Sequence, residues 1–282
     1  MAVDFRTNGS SLKLRARRVV HRLLDAERAP AHTVVKAVRP SANWILFFCF
    51  LPDGIVSDDH RVTIEALKRG GRKLMIVAAS SRLADVADRL EPLCDALIVK
   101  QPQGYDFSGY AIGLWHIARH SPGSDVIVLN DSVLGPITDL AALLEAQPWD
   151  LTGLTSCETR GSHIQSYAFL LRGVDMARMR HLRSVFPETR AYSKYMAVVR
   201  LQESRLANVA AKHMSVGSIW HGQDDLTVFA PVDLVKMKFP FVKKSLFAKF
   251  SHVSAEDDSA FLRCVYDDFR RDLHAGRSGD GQ

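Results

Sequence analysis

Between Trp44 and Asn130 the chain alternates short apolar runs with stretches of helical periodicity, and this alternation constrains its fold more than any other feature. Trp44 to Leu51 is an apolar, aromatic-rich run, Ser57 to Arg69 has helical spacing, and Lys73 to Ala79 is a second apolar run after the Gly70-Gly71 break. A helix over Arg82 to Leu90, a strand over Ala96 to Val99, a helix over Tyr105 to Arg119 and a strand ending at Asn130 continue the pattern. Short apolar runs bounded by turn residues read as strands buried on both faces. A β-α-β-α-β-α-β order with helical crossovers makes neighbouring strands parallel. The expected class is α/β, a mostly parallel sheet flanked by helices. The second half changes character: Asp150 to Ser156 and Gln165 to Leu171 read as strands joined by a polar loop, while Val174 to Phe186 and Ser193 to Met214 read as helical. Gly276 to Gln282 reads as a flexible tail, and there is no internal repeat.

A chain of 282 residues can bury one large α/β core. Apolar residues at 47% and charged residues at 24% exclude disorder as the main state. No apolar run reaches the roughly 18 residues a membrane-spanning helix needs. A signal peptide is not expected, because Lys13, Arg15, Arg17, Arg18 and Arg22 interrupt Leu12 to Leu24, so the expected location is cytoplasmic. Cys49, Cys94, Cys157 and Cys264 lack paired metal-ligand spacing and read as reduced and structural. Residues 1–40 hold nine Lys or Arg against three acids, an excess equal to the +6 formal charge of the whole chain. Leu12, Ala16, Val19, Val20, Leu23 and Leu24 set an apolar stripe beside that basic face. Two readings of residues 12–24 stand equal: a helix lying on an anionic membrane surface, or one packed on its own domain. Nucleic acid is not an expected partner, since no recognition motif accompanies the charge. Neither a G-x-G-x-x-G nor a P-loop pattern follows any strand.

Chemistry concentrates where strands end. Val126 to Leu129 stops at Asn130, Asp131 and Ser132, followed by Gly135-Pro136. In open α/β sheets ligands bind outside the carboxyl ends of the strands, which suits Asp131 to meeting a ligand or its metal; capping the next helix is the plainer alternative. Gly104-Tyr105-Asp106-Phe107 enters a helix, where Gly104 allows close backbone approach and Asp106 can bond a sugar or nucleotide hydroxyl; an N-cap with aromatic packing is the plainer reading, and the one this cluster favours when taken alone. Gly153-Leu154-Thr155 and His163-Ile164-Gln165-Ser166-Tyr167 can line a pocket for a polyhydroxylated acceptor, although residues of these types also satisfy backbone groups in ordinary loops. Glu203 is a further carboxylate, in Gln202-Glu203-Ser204, ahead of a helical stretch expected to stop near Gly217.

In this order, and joined by Ile55-Val56-Ser57-Asp58 and Pro240-Phe241-Val242-Lys243-Lys244, these clusters resemble the rhamnan synthesis protein F family of bacterial polysaccharide-assembly glycosyltransferases over roughly residues 44–247. The pattern is also similar to GT-A glycosyltransferases. The resemblance implies a GT-A-like, Rossmann-type domain with an acceptor-side second half. The expected division is a basic N-terminal helical extension (1–42), a glycosyltransferase domain (43–250), and a C-terminal helix with its tail (251–282). It implies transfer of a 6-deoxy sugar, typically L-rhamnose from dTDP-L-rhamnose, to a cell-surface polysaccharide or lipopolysaccharide precursor, a glycan or lipid-linked glycan acceptor; the expected cytoplasmic location becomes the inner face of the cell membrane if residues 12–24 bind that surface. Gly104, Tyr105, Asp106, Asn130, Asp131, Ser132, Lys243 and Lys244 become donor-binding candidates, with Asp131 holding the diphosphate or a Mg²⁺ or Mn²⁺ ion, and with Lys243 and Lys244 as point charges that could neutralise the leaving group in place of a metal. His163, Gln165 and Tyr167 shape the acceptor side. Glu203 is the expected base of an inverting displacement, with Asp106, Asp150 and Glu158 as competitors. Lys100-Gln101-Pro102 stands where the family usually has Arg-Glu-Asn, which keeps open a non-catalytic glycan-binding or scaffold subunit. A sugar-nucleotide hydrolase or phosphotransferase is a third reading.

Overall fold

The computed structural model describes residues 2–5, 18–22, 24–159, 161–247 and 256–279. Its strands in chain order are β1 (Val3–Asp4), β2 (Ala26–Arg28), β3 (His32–Lys36), β4 (Asn43–Phe50), β5 (Lys73–Ala79), β6 (Ala96–Lys100) and β7 (Ser124–Asn130). They continue with β8 (Val133–Leu134), β9 (Leu151–Cys157), β10 (His163–Ile164), β11 (Ala168–Val174), β12 (Arg190–Tyr192), β13 (Val216–Gly222) and β14 (Val242–Lys243). The main sheet runs β1-β13-β9-β11-β7-β4-β5-β6-β3, with β10 paired to β9. β4 is parallel to β5 and β7, β5 to β6, and β13 to β9. β11 runs against both β7 and β9, so β9 points the same way as β7. Six strands therefore bring Phe50, Ala79, Lys100, Asn130, Cys157 and Gly222 to one edge, and β11 enters from that same edge just after Tyr167. The expected α/β architecture with a mostly parallel sheet is the one observed.

Both faces of this sheet are buried, which is why its strands read as unbroken apolar runs. Trp44, Leu46 and Phe48 of β4 face a core containing the Tyr105–His120 helix, whereas Ile45, Phe47 and Cys49 face the core containing the Asp58–Arg69 and Leu83–Leu90 helices. The Tyr105–His120 helix lies tight on β4. A Cβ at Gly109 would fall 2.3 Å from Phe48 Cδ2, and one at Gly113 would fall 2.2 Å from Leu46 Cδ1. A smaller core joins Val62 of the Asp58–Arg69 helix to Leu262, Tyr266 and Leu273 of the C-terminal helix Glu256–Gly279.

Several expectations are corrected. The helix expected over 174–186 is confined to Met176–Leu182, because Asp175 caps it by accepting from Arg178 N. The run 193–214 breaks into Tyr195–Leu201, a 3₁₀ turn Glu203–Arg205 and Leu206–Ala210. The break falls at Gln202, whose non-helical backbone (φ −121°, ψ −71°) lets its buried side chain donate to Val185 O at 2.7 Å. The helix expected to persist to Gly217 ends at Ala210, since Val216–Gly222 is drawn into the sheet beside β9. The second-half strand begins at Ala168 and not at Gln165, whose side chain is tied to Thr155. No break in the sheet marks residue 42: β1 pairs with β13 and β3 with β6, while β2 pairs with β12. Of the expected N-terminal helix, residues 12–17 and 23 lie outside the described residues; 18–22 are helical, with Val19, Val20 and Leu24 exposed. The C-terminal helix continues to Gly279, through the start of the expected tail, and 280–282 lie outside the described residues. Among the described residues no helix is long and apolar enough to cross a membrane, and all four cysteines are free.

Candidate functional site

A pocket of about 540 Å³ opens at the carboxyl edge of the sheet, lined by Phe48 and Phe50 of β4, the 102–106 loop, Asn130, Asp131, Ser132 and Ser193. Six of the proposed donor residues thus converge: Gly104, Tyr105, Asp106, Asn130, Asp131 and Ser132. Asp131 ties two strand ends together. Its backbone N–H donates to Phe48 O at 3.1 Å, and its Oδ2 accepts from Phe50 N–H at 2.8 Å. The same Oδ2 lies 3.1 Å from His60 Nε2. Ser57, the N-cap of the Asp58–Arg69 helix, donates its backbone N–H to His60 Nδ1 at 3.2 Å, making that nitrogen the acceptor and leaving the proton on Nε2, aimed at Asp131. Both contacts fall on Oδ2.

Asp106 and Asn130 form the second arm. Asn130 Nδ2 donates to Asp106 Oδ2 at 2.8 Å, while Asn130 Oδ1 accepts from Ser132 N at 3.0 Å and from Ser132 Oγ at 2.5 Å. Asp106 Oδ1 accepts from Phe107 N at 2.8 Å. Burial, and next the negative charge of Glu203, push the Asp106 carboxyl up to about 6. Beneath the loop, Lys100 is 1% exposed and donates to Gln101 O at 2.9 Å and Gln103 O at 2.7 Å. Burial pulls its ammonium down to about 7, with the Asp106 charge opposing. This fastening precedes Gly104, whose φ of +86° and a Cβ position 2.8 Å from Ala191 Cβ admit only glycine without strain. Tyr105 follows at φ 51° and stands half exposed at the rim.

Glu203 opens the 3₁₀ turn 203–205 and accepts from Ser166 Oγ at 3.0 Å and Ser166 N at 3.4 Å. Ser166 O in turn accepts from Tyr110 OH at 3.0 Å. A chain of contacts therefore links Glu203 to the interior behind Asn130, and Glu203 acts electrostatically on Asp106.

The proposed acceptor trio sits elsewhere. His163, Gln165 and Tyr167 are all buried and do not line the pocket. Thr155 Oγ1 donates to Gln165 Oε1 at 2.6 Å and lies 2.6 Å from Tyr167 OH. His163 Nδ1 is 2.7 Å from Gly161 O, and its Nε2 is 3.8 Å from Cys157 Sγ. Burial opposes charge on this imidazole, yet bonding to Cys157 and Gly161 holds it up at about 9. Lys243 is also committed: it donates to Asp225 Oδ2 at 2.8 Å and lies over the Tyr167 ring. Burial would raise the Asp225 carboxyl, but Lys243 holds it below its ordinary value. Lys244, by contrast, has no ion pair among the described residues, and its N–H donates to Ser132 O at 3.0 Å. Asp150 lies at the opposite, amino end of β9, held by Ser215 and Arg178, so it is removed as a candidate base. Glu158 follows the carboxyl end of β9 outside the pocket lining and is exposed, 3.4 Å from His221.

Sequence reading did not single out three buried or half-buried partners of the candidate residues: His60 beside Asp131, Lys100 beneath the 102–106 loop and Asp225 beside Lys243. The Ser57-x-x-His60 spacing carries the capping signal for His60, and Asp225-Leu226-Thr227 carries a helix-start signal for Asp225. Lys100 carries no local signal, because its role depends on burial. Among the described residues no three His, Cys, Asp or Glu side chains converge as a metal cage. Asp131 offers a single point of attachment.

A sequence model described as rhamnan synthesis protein F matches residues 74–271. Uncharacterized protein y4gN of Sinorhizobium fredii (strain NBRC 101917 / NGR234) is 25% identical over 230 residues, 78% of this chain and 58% of that protein, so the chain spans little more than half of that relative. A putative nucleotide-diphospho-sugar transferase from Desulfovibrio desulfuricans G20 is 14% identical, with 83% of this chain and 98% of that one covered and a TM-score of 0.38. HddC from Yersinia pseudotuberculosis is 11% identical, with 64% and 91% covered and a TM-score of 0.35.

Proposed function

Because this chain belongs to the rhamnan synthesis protein F family, we propose that it is a glycosyltransferase that moves L-rhamnose from dTDP-L-rhamnose to a cell-surface glycan or lipid-linked glycan, with inversion. The observation that carries this reading is the convergence of Asp106, Asn130 and Asp131 on one pocket at the carboxyl edge of a parallel sheet, with Glu203 acting on Asp106. A sugar nucleotide lying there meets the apolar side chains of Phe48 and Phe50 and the polar Asn130-Asp131-Ser132 segment.

Glu203 is the proposed base. It accepts the acceptor hydroxyl proton as the anomeric carbon bonds to that oxygen and the diphosphate departs. The raised Asp106 keeps a second reading open, because a carboxyl titrating near 6 is better matched to proton transfer at neutral pH. Mg²⁺ or Mn²⁺ would attach through Asp131 and draw its other ligands from diphosphate and water, the pattern magnesium favours. Lys244, with no ion pair among the described residues, is the cation proposed to meet the leaving diphosphate. Lys243 is matched by Asp225 and is less suited to that part. His163, Gln165 and Tyr167 act behind the acceptor side, stiffening it. Residues 12–24 are proposed to contact an anionic membrane surface at the cytoplasmic face, supported by exposed Val19, Val20 and Leu24 beside Arg22.

Calorimetric titration with dTDP-L-rhamnose, GDP-sugars and UDP-sugars, with and without Mg²⁺ or Mn²⁺, tests this reading on wild type and Asp131→Ala. Selective binding of one sugar nucleotide that weakens in the variant supports it. A folded protein that binds none of them, with or without a glycan acceptor present, sinks it in favour of a non-catalytic glycan-binding subunit.

A further inference from the structure

A second concavity, of about 510 Å³, lies on the other side of β12 from the proposed donor pocket. Arg22, Arg180, Arg183 and Arg190 line it, with Trp115 and Tyr192 as aromatic walls. Glu188 is the one carboxylate in the lining, and Arg119 already bridges it. Among the described residues none of the four lining arginines forms an ion pair. Arg190 also stands opposite Arg28 in the β2–β12 pairing, where like charges repel. Behind the hollow, Arg205 donates to Ser184 O and Leu201 O, and burial followed by the charges of Arg18 and Arg22 pulls its guanidinium down to about 10.

Four guanidinium groups around one hollow repel each other unless an anion sits between them. Their planar forks match phosphate oxygens in pairs. The hollow also has a direct mechanical link to the donor pocket. Arg190 and Tyr192 of β12 line it, and the next residue, Ser193, lines the pocket of Asp106 and Asp131.

We propose that this arginine hollow binds a phosphate-class anion, a phosphate or diphosphate carried by something other than the sugar nucleotide. Such an anion would be borne on a lipid headgroup or on a soluble phosphorylated ligand, and both present the same oxygens to the arginines. The site stands independently of the transfer reaction, since it shares no lining residue with the donor pocket.

The probe is inorganic pyrophosphate, titrated calorimetrically without divalent metal into wild type, Arg180→Ala/Arg183→Ala/Arg190→Ala and Asp131→Ala. All three altered arginines are exposed, so the triple variant should keep its fold, checked by its unfolding midpoint. Binding should weaken roughly tenfold or more in the triple variant, fall as salt is added, and stay unchanged in Asp131→Ala. Absence of pyrophosphate binding by wild type, or equal binding by the triple variant, overturns the proposal. Co-sedimentation with phosphatidylcholine vesicles, with and without phosphatidylglycerol, separates the sources. Vesicle binding lost together with pyrophosphate binding assigns the hollow to headgroups, and vesicle binding retained assigns it to a soluble phosphate. Sugar-nucleotide titration of the same variants reports on the donor pocket separately, so failure of one reading leaves the other standing.

Discussion

His60 enters the site through Asp131 and not through substrate. With its Nδ1 accepting from Ser57 N–H, its Nε2–H is directed at Asp131 Oδ2 and shares the hold on that oxygen with Phe50 N–H. His60→Ala removes one of the two donors, a loss of about 1–2 kcal/mol in positioning, so sugar-nucleotide binding should weaken by roughly tenfold. His60→Gln, whose amide can still donate, should recover most of it; equal affinity in all three proteins would remove His60 from the site. Asp106 makes a prediction about pH. Its folded carboxyl titrates near 6 against an ordinary 3.8, so the folded state holds the proton more tightly than the unfolded chain. That preference stabilises fully below about 4 and is lost as pH rises through 6. Asp106→Asn should therefore be more stable than wild type at pH 8 by about 3 kcal/mol, the scale of a shift of this size. The two should converge at pH 4. Urea unfolding at both pH values reads this out, and an equal difference at the two would refute it. Lys100, depressed to about 7, works in the opposite window: its unfolded state binds the extra proton, so its contribution to stability grows as pH rises from about 7 to 10.5.

At the scale of elements, the Tyr105–His120 helix does two jobs with one face. Gly109 and Gly113 let it settle on Phe48 and Leu46, and its first turn presents Asp106 to the pocket. Gly109→Ala and Gly113→Ala should each cost about 1–3 kcal/mol, because a methyl would overlap neighbours that have no room to retreat. Only Gly109 presses on a residue that also lines the pocket, so Gly109→Ala should weaken sugar-nucleotide binding while Gly113→Ala leaves it near wild type. Thermal unfolding and calorimetric titration of both variants decide this; matched binding losses would mean that Phe48 does not transmit the strain. The limits of sequence reading also show at this scale. Lys73–Ala79 was legible to the residue, because a strand buried on both faces leaves a continuous apolar run. The stretch 193–214 was not, because its interruption depends on Gln202 reaching Val185 across the chain, which periodicity does not register.

For the whole molecule, the C-terminal helix Glu256–Gly279 closes the core at the back of the Asp58–Arg69 helix. Leu262 is fully buried there and Tyr266 OH donates to Asp59 Oδ1 at 3.0 Å. Leu262→Ala should cost about 2–5 kcal/mol in urea unfolding. A cost near zero would show that this helix is not part of the cooperative unit. The sequence by itself determined the α/β class, the strand ends that carry Asn130, Asp131 and Ser132, and the Gly104-Asp106 turn, since these follow from local periodicity and turn chemistry. Tertiary structure alone decided the rest. Antiparallel insertion of β11 between β7 and β9 buried His163, Gln165 and Tyr167 away from the pocket, pairing with Asp225 occupied Lys243, and burial made Lys100 a support for the 102–106 loop. Each of these is a contact between residues distant in sequence, and its energy depends on charge, burial and register that no single segment encodes.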